Sequence, residues 1–444
     1  MTSWSPPGGA EPATRRAPFS SNPEVGERGR RSQQRIFDAA MQCFDELGYE
    51  RSTVEKITKA AGCSRAAFYQ YFSSKEELFR QVAGQATAEL SESELSLGPV
   101  TPDQGGWDEI RQWVARHNTV YDRYEPLFRA YDAAVELDEQ VAGDSALLSA
   151  RYAREFRSKV DGSTLPDRAA TSVITLLNKL VTRTKRLAGL MTATSPNPAL
   201  DEERIATAVT DVIHRTLFGS NEVNARGSVP PESARREPLS TAFLQRVATE
   251  DLPTDLNATA RRTLSTLLEA SQATLLSNGY HRTRVSGITV AAGQSHGIFY
   301  HYFSGKEHVT QVLAMRALRH LVDAYAQMPD LGDAESFDPA ELRRWLRQYG
   351  TSHAREAGMI RVWIDSTEHD VELLADAAAG LEWARQWMAD MLTPRGFGDP
   401  AADGLLLVTV LELLGAHEPT RRDVESVALC IERGLLGRAV GARP

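Results

Sequence analysis

Two stretches of this 444-residue chain hold residue types that recognise a charged polymer. The first, AAGCSRAAFYQYFSSKEEL, begins at Ala60, and the second, AAGQSHGIFYHYFSGKEHV, begins at Ala291. Each places a cation or imidazole, phenols, hydroxyls and an amide or second imidazole within two helical turns. Arginine presents a planar fork that suits guanine edges, glutamine suits adenine, and hydroxyls and lysine suit phosphate oxygens. Recognition is the chemistry such sets perform. Catalysis has no comparable support, because no Ser-His-Asp or Cys-His arrangement, phosphate loop or carboxylate pair stands out. Asp365, Glu368, His369 and Asp370 have the types of metal ligands but read as a solvated helix face or loop, so neither metal nor cofactor is expected. Cys43, Cys63 and Cys430 are too widely spaced for a disulfide framework or a zinc site. For Cys63 an inert small side chain is favoured over a redox role.

The two stretches belong to a longer repeat. From Gly48 to Glu76 and from Gly279 to Glu307 the register holds at an offset of 231, with 17 of 29 positions identical. Farther on, EIRQW (Glu109–Trp113) recurs as ELRRW (Glu341–Trp345), and DVIHRTLFG (Asp211–Gly219) resembles LCIERGLLG (Leu429–Gly437). Two whole domains are duplicated, the second being shorter late in its sequence. Ser220 to Ser240 has the Pro, Gly, Ser and Asn content of a linker. The expected division is a disordered tail at 1–27, a DNA-binding domain at 28–80, a helical domain at 81–219, a linker at 220–256, and a second pair of domains at 257–315 and 316–441.

The elements that must position these residues are helices. Ile36, Ala40, Phe44 and Leu47 recur at helical spacing before Gly48, and Leu264, Leu268, Ser271 and Leu275 do so before Gly279. No alternating stretch suggests a sheet, so the fold class is all-α. Val54, Ile57 and Ala61 share one face of a short helix, Gly62 permits a sharp turn, and Ser64 can cap a second helix that buries Ala67, Phe68 and Phe72. This is a helix-turn-helix. Ser73 with Glu76, and Ser304 with Glu307, have the spacing of a capping box for a further helix, whose start with Lys75 or Lys306 suits a phosphate.

A helix ending in Gly-Tyr, then AAG, S-x-x-x-FY-x-YF and S-x-KE, resembles the DNA-binding domain of the TetR family of bacterial regulators. The likeness covers about fifty residues in each repeat. It implies that Ser64, Arg65, Ala66, Tyr69, Gln70 and Tyr71 face DNA, with Thr53 and Lys75 on phosphates. In the second copy it implies the same for Ser295, His296, Gly297, Tyr300, His301 and Tyr302, with Arg284 and Lys306 on phosphates. It further implies helical C-terminal domains that bind a small effector and pair through their last two helices. Trp113, Tyr121, Tyr124, Phe128 and Tyr131, and Trp345, Tyr349, Trp363, Trp383 and Trp387, then read either as core stripes or as the lining of a pocket for a mostly apolar ligand.

Charge is segregated in a way that fits DNA. The net charge is −9, yet basic residues exceed acidic ones by three from Arg28 to Arg80 and by five from Ala260 to His320. Arg28, Arg30 and Arg31 form either a minor-groove arm or a solvated tail. No run of apolar residues is long enough to span a membrane, and a cytoplasmic location is the default. The expectation is a ligand-responsive repressor whose two unlike units read an asymmetric operator as an intramolecular pseudo-dimer, through Ser172–Leu190, Ile205–Leu217, Leu405–Leu414 and Val424–Leu436. A homodimer of tandem chains is the second architecture. A small-molecule-binding regulator in which only the first unit binds DNA and the second serves assembly or sensing is the rival function.

Overall fold

The computed structural model describes residues 27–130, 139–192, 197, 200–225, 245, 247, 252–253, 255–331, 337–367, 371–415 and 418–438. Tyr131, Glu368, His369, Asp370, the side chain of Asp365, residues 1–26 and most of the expected linker lie outside the described residues. Among the described residues there is no strand, only one isolated parallel bridge between Val100 and Val160. No described helix is long and apolar enough to cross a membrane. Two compact units emerge, one of Met1–Ala88 with Tyr124–Val141 and one of Glu89–Arg123 with Ala142–Pro444.

In the first unit, α1 (Glu27–Arg51) is followed by α2 (Val54–Ala60), α3 (Arg65–Tyr71) and the start of α4 (Lys75–Leu95). The helical stripe of α1 is buried at Ile36, Ala40 and Phe44. Phe37, Phe44, Tyr49, Phe68, Phe72 and Phe79 join it in an aromatic core whose neighbouring ring centroids lie 4.9–5.8 Å apart. Seven-residue helices such as α2 and α3 are too short to persist alone, so this core holds them.

The second unit continues through α5 (Gln104–Arg123), α6 (Glu139–Lys159), α7 (Asp167–Thr192) and α8 (Glu202–Phe218). The repeat then begins again with α9 (Ala258–Arg282), α10 (Val285–Ala291), α11 (His296–Tyr302) and α12 (Lys306–Ala326). It closes with α13 (Pro339–Thr367), α14 (Val371–Leu392), α15 (Pro400–Gly415) and α16 (Arg421–Leu429), the last running into a π-helical turn at Cys430–Leu435. Asp201 starts α8 by accepting from Glu203 and Arg204 amides, and Thr420 with Asp423 makes a capping box for α16.

The centre of this unit is where the late helices of the two repeats meet. α7 packs on α15 and α16, and α8 packs on α15 and the π-helical turn. These four helices contain the stretches expected to pair. α15 carries the run LLLVTVL, which is apolar except for Thr409 and buried throughout. Arg204 reaches Asp399 at 2.8 Å, and Arg183 pairs with Glu412. Two further arginines, Arg215 and Arg433, are buried where α8 meets the π-helical turn. Separately, Leu264, Leu267, Leu268, Leu275, Ile288, Phe299 and Phe303 form a core with Met359 and Val362, which seats the second helix-turn-helix on α13.

Candidate nucleic-acid interface

From the turn onward the two helix-turn-helix segments are built alike to the level of single hydrogen bonds. Gly62 and Gly293 turn the chain with φ of 61° and 62°, a left-handed conformation that other residues adopt at a cost. Ser64 caps α3 by accepting the Ala67 amide at 3.1 Å, and Ser295 caps α11 by accepting the Ile298 amide at 3.3 Å. The Ser64 and Ser295 backbones agree within a few degrees, at φ −81°, ψ 155° and φ −82°, ψ 159°. Phe68 and Phe299 fix each helix to its core with no exposed surface.

A second shared device lies where α1 and α9 break. Gly48 and Gly279 have φ 73° and 72° with extended ψ, which kinks each helix just before its end. The buried Ser52 hydroxyl donates to the Cys43 and Gly48 carbonyls at 2.8 and 2.7 Å. Thr283, at the same place in the repeat, donates to the Thr274 and Gly279 carbonyls at 3.3 and 2.8 Å. Lys75 Nζ donates to the Tyr49 carbonyl at 2.9 Å and stands 3.9 Å from the centre of that ring; Lys306 does the same to Tyr280 at 2.8 and 4.0 Å. The sequence pattern suggests a phosphate contact for these lysines and gives no sign that each ties its helix to the kink.

Two expectations are corrected. The cap of α4 uses Ser74 and Glu77, one residue beyond the expected pair: the Glu77 amide donates to Ser74 Oγ at 3.2 Å, and the Glu77 carboxylate accepts the Ser73 amide at 2.6 Å. In the second copy Gly305 occupies the cap position and supplies no side-chain bond, while Glu307 accepts the Tyr280 hydroxyl at 3.1 Å. Tyr302, expected to face DNA, has its ring buried and its hydroxyl directed at the Ala260 carbonyl, 3.4 Å away. Its equivalent, Tyr71, is half-buried.

The remaining expected contacts divide by exposure. Thr53, Ser64, Arg65, Ala66 and Gln70 are exposed in the first unit, and Tyr69 is half-buried against Phe68. Thr53 also caps α2 by accepting the Lys56 amide at 3.3 Å. Arg284, Ser295, His296, Gly297, Tyr300 and His301 are exposed in the second. Arg284 precedes α10 at the place of Thr53 but makes no side-chain cap. Beside α11 an open groove of about 580 Å³ is lined by Tyr300, His301, Tyr302, Phe303, Ser304, Glu307, His308 and Gln311. Cys63 is half-buried, and burial raises its thiol pKa, which disfavours the reactive thiolate.

The aromatic side chains expected to line an effector pocket are packed. Trp345, Tyr349 and His353 stack along α13, with Tyr325 and Trp383 stacked alongside at centroid distances near 6 Å. Burial pushes the Tyr349 and Tyr325 hydroxyls well above the usual phenol range. Trp363 is buried as well. In the first repeat Trp113 meets Phe156 edge-on at 5.2 Å and Tyr121 is buried, while Tyr124 and Phe128 belong to the other compact unit. Trp387 is the exception, at 40% exposure.

Comparison with known proteins matches this geometry. The family model for bacterial regulatory proteins, tetR family, fits residues 36–82 and again residues 267–311. The HTH-type transcriptional repressor AcnR of Corynebacterium glutamicum is 34% identical over 127 residues, which cover 26% of this chain and 65% of that protein. The HTH-type transcriptional repressor Rv1474c of Mycobacterium tuberculosis is 34% identical over 103 residues, or 21% and 55% of the two chains. The A-factor receptor protein of Streptomyces griseus is 31% identical over 85 residues, or 19% and 30%. The chain thus spans less than two thirds of the length of these relatives.

Proposed function

The chain is a tandem pair of TetR-family units, and on that premise we propose that it is a ligand-responsive transcriptional repressor reading an operator with two unlike half-sites. The observation that carries this is one scaffold with two readings. The capping serines, turn glycines and buried phenylalanines repeat, while the exposed positions differ: Arg65 against His296, Ala66 against Gly297 and Gln70 against His301. A symmetric dimer presents identical recognition helices and reads a palindrome; unlike helices need not. Packing of α7 and α8 against α15, α16 and the π-helical turn supports an intramolecular pseudo-dimer, with the second unit held at high effective concentration. The domain limits set out above, a small effector and a cytoplasmic location belong to the same proposal, and no catalytic role does.

Footprinting the full chain on the DNA flanking its gene, with chain stoichiometry measured on the same complex, tests the reading. One chain protecting two unlike half-sites is expected. A clean palindrome read by one unit from each of two chains overturns it.

A further inference from the structure

Ile298 is out of place for a core residue. Its equivalent, Ala67, lies half-buried, but Ile298 is exposed at 37%, and Tyr300 on the other side of buried Phe299 is exposed at 55%. Between them Gly297 and His301, four residues apart, share the outward face of α11. Among the described residues nothing requires glycine at 297. A Cβ there would meet only Ser295 Oγ, at an ordinary 3.9 Å, and the backbone is not in the left-handed region. Glycine in a helix costs stability relative to alanine, so its benefit lies outside the chain, in closer approach of whatever the helix faces.

The change of chemistry extends to the preceding helix. Positions Thr53, Lys56, Lys59 and Arg65 become Arg284, Gly287, Val290 and His296, so three obligate cations fall to one. Val290 stands 82% exposed. The surface that offers charge in the first unit offers apolar groups in the second, on nearly the same backbone.

Among groups displayed in the major groove, the thymine C5-methyl is the apolar one. We infer that the second unit selects a thymine in its half-site, with Ile298 as the residue that contacts the thymine methyl and Gly297 as the gap that lets the helix approach it. This rests on the proposed DNA-binding role of the second unit and names what that unit selects. Arg65 gives the first unit a guanine preference instead. The operator is therefore unlike in base composition between its halves, as well as in sequence.

Selection from a randomised duplex pool with the full chain, followed by binding measurements, tests this. One selected half-site is expected to hold a guanine lost in Arg65→Ala, and the other a thymine. Replacing that thymidine by deoxyuridine weakens binding about fourfold, the transfer value of one buried carbon. Ile298→Ala, exposed and so expected to fold with an unchanged melting temperature, binds both duplexes alike. Gly297→Ala raises the melting temperature yet weakens binding. A second half-site that is selected but indifferent to deoxyuridine overturns the inference and leaves the two-unit reading standing; a second half with no selection overturns both. Ile298→Ala that changes the mass of the chain in solution, with DNA binding untouched, assigns the surface to a second copy and overturns the inference.

Discussion

Arg215 and Arg433 each clasp the backbone beside the other. Arg215 Nε donates to the Gly434 carbonyl at 2.6 Å, and Arg433 Nε donates to the Thr216 carbonyl at 2.8 Å. In the aligned endings HRTLFG and ERGLLG, the two arginines occupy one place, and Thr216 and Gly434 the next. The same residue of each half thus bonds the same neighbour of the other, as in an isologous interface. Both guanidinium groups are buried, and burial lowers their pKa. Arg215→Ala or Arg433→Ala leaves a buried carbonyl without its donor and should cost about 2–5 kcal/mol, read as a lower urea midpoint at unchanged m. Because the clasps adjoin, the double variant should lose less than the sum; strict additivity would contradict the coupling.

Gly434 has no room for a side chain. A Cβ there would overlap Thr216 Oγ1 and crowd Val212. Gly434→Ala should therefore destabilise by about 1–3 kcal/mol through overpacking. Thr216→Ala in the same chain should restore part of that loss, since the hydroxyl that blocks the new methyl is gone. Thermal unfolding of the two single variants and the pair measures this, and no recovery in the pair would mean that Val212 sets the limit.

Buried histidines give the fold a pH dependence. His117 shares a 2.7 Å hydrogen bond with Thr182 Oγ1, and His353 stacks 4.9 Å from Tyr349; burial lowers each pKa to about 4. In the unfolded chain a histidine titrates near 6.5, so below that pH the unfolded state takes up protons that the folded state refuses. Stability is then full above about pH 6.5 and falls as pH drops toward about 4, by up to about 3 kcal/mol per histidine. Urea unfolding at pH 7.5, 6 and 5 should show the decline, and His117→Gln should flatten it. An equal slope in that variant assigns the decline to other groups.

On the DNA side, Arg65→Ala should weaken operator binding by about 1–3 kcal/mol and relax base preference in one half-site only. Lys59→Ala should weaken all sequences alike and reduce the salt slope by about one. Equilibrium binding across salt concentrations separates the two. A silent His296→Ala beside a damaging Arg65→Ala would favour a chain in which the first unit alone binds DNA.

Much of the scaffold is legible in the sequence because it is local. Ser64 and Ser295 cap helices that begin at the next residue, and Gly62 and Gly293 turn with the left-handed φ that favours glycine. The capping pair at α4 is read one residue early because Ser73 and Ser74 are adjacent and chemically alike; the backbone decides between them. The tie that Lys75 and Lys306 each make to the kink is hidden for a different reason. Their partners, Tyr49 and Tyr280, are 26 residues back, and only the folded core brings the two together. Tyr302 is buried where α9 presents the Ala260 carbonyl, which no pattern within α11 encodes. The aromatic residues of α13 allow two readings, and stacking with Tyr325 and Trp383 depends on helices distant in sequence. The π-helical turn contains Gly434, but a lone glycine within a helical pattern does not mark where an extra residue is inserted.

The missing side chain at 434 also bears on which halves would fit one another. Two first halves brought together through these surfaces would set one threonine against another where a hydroxyl now faces bare backbone. Two second halves would set glycine against glycine and leave a void on both sides. A knob on one half and a hole on the other fit the unlike pairing better than either like pairing, so such a join would favour its own halves over identical copies. It would equally refuse stray relatives that carry a bulky residue at that position.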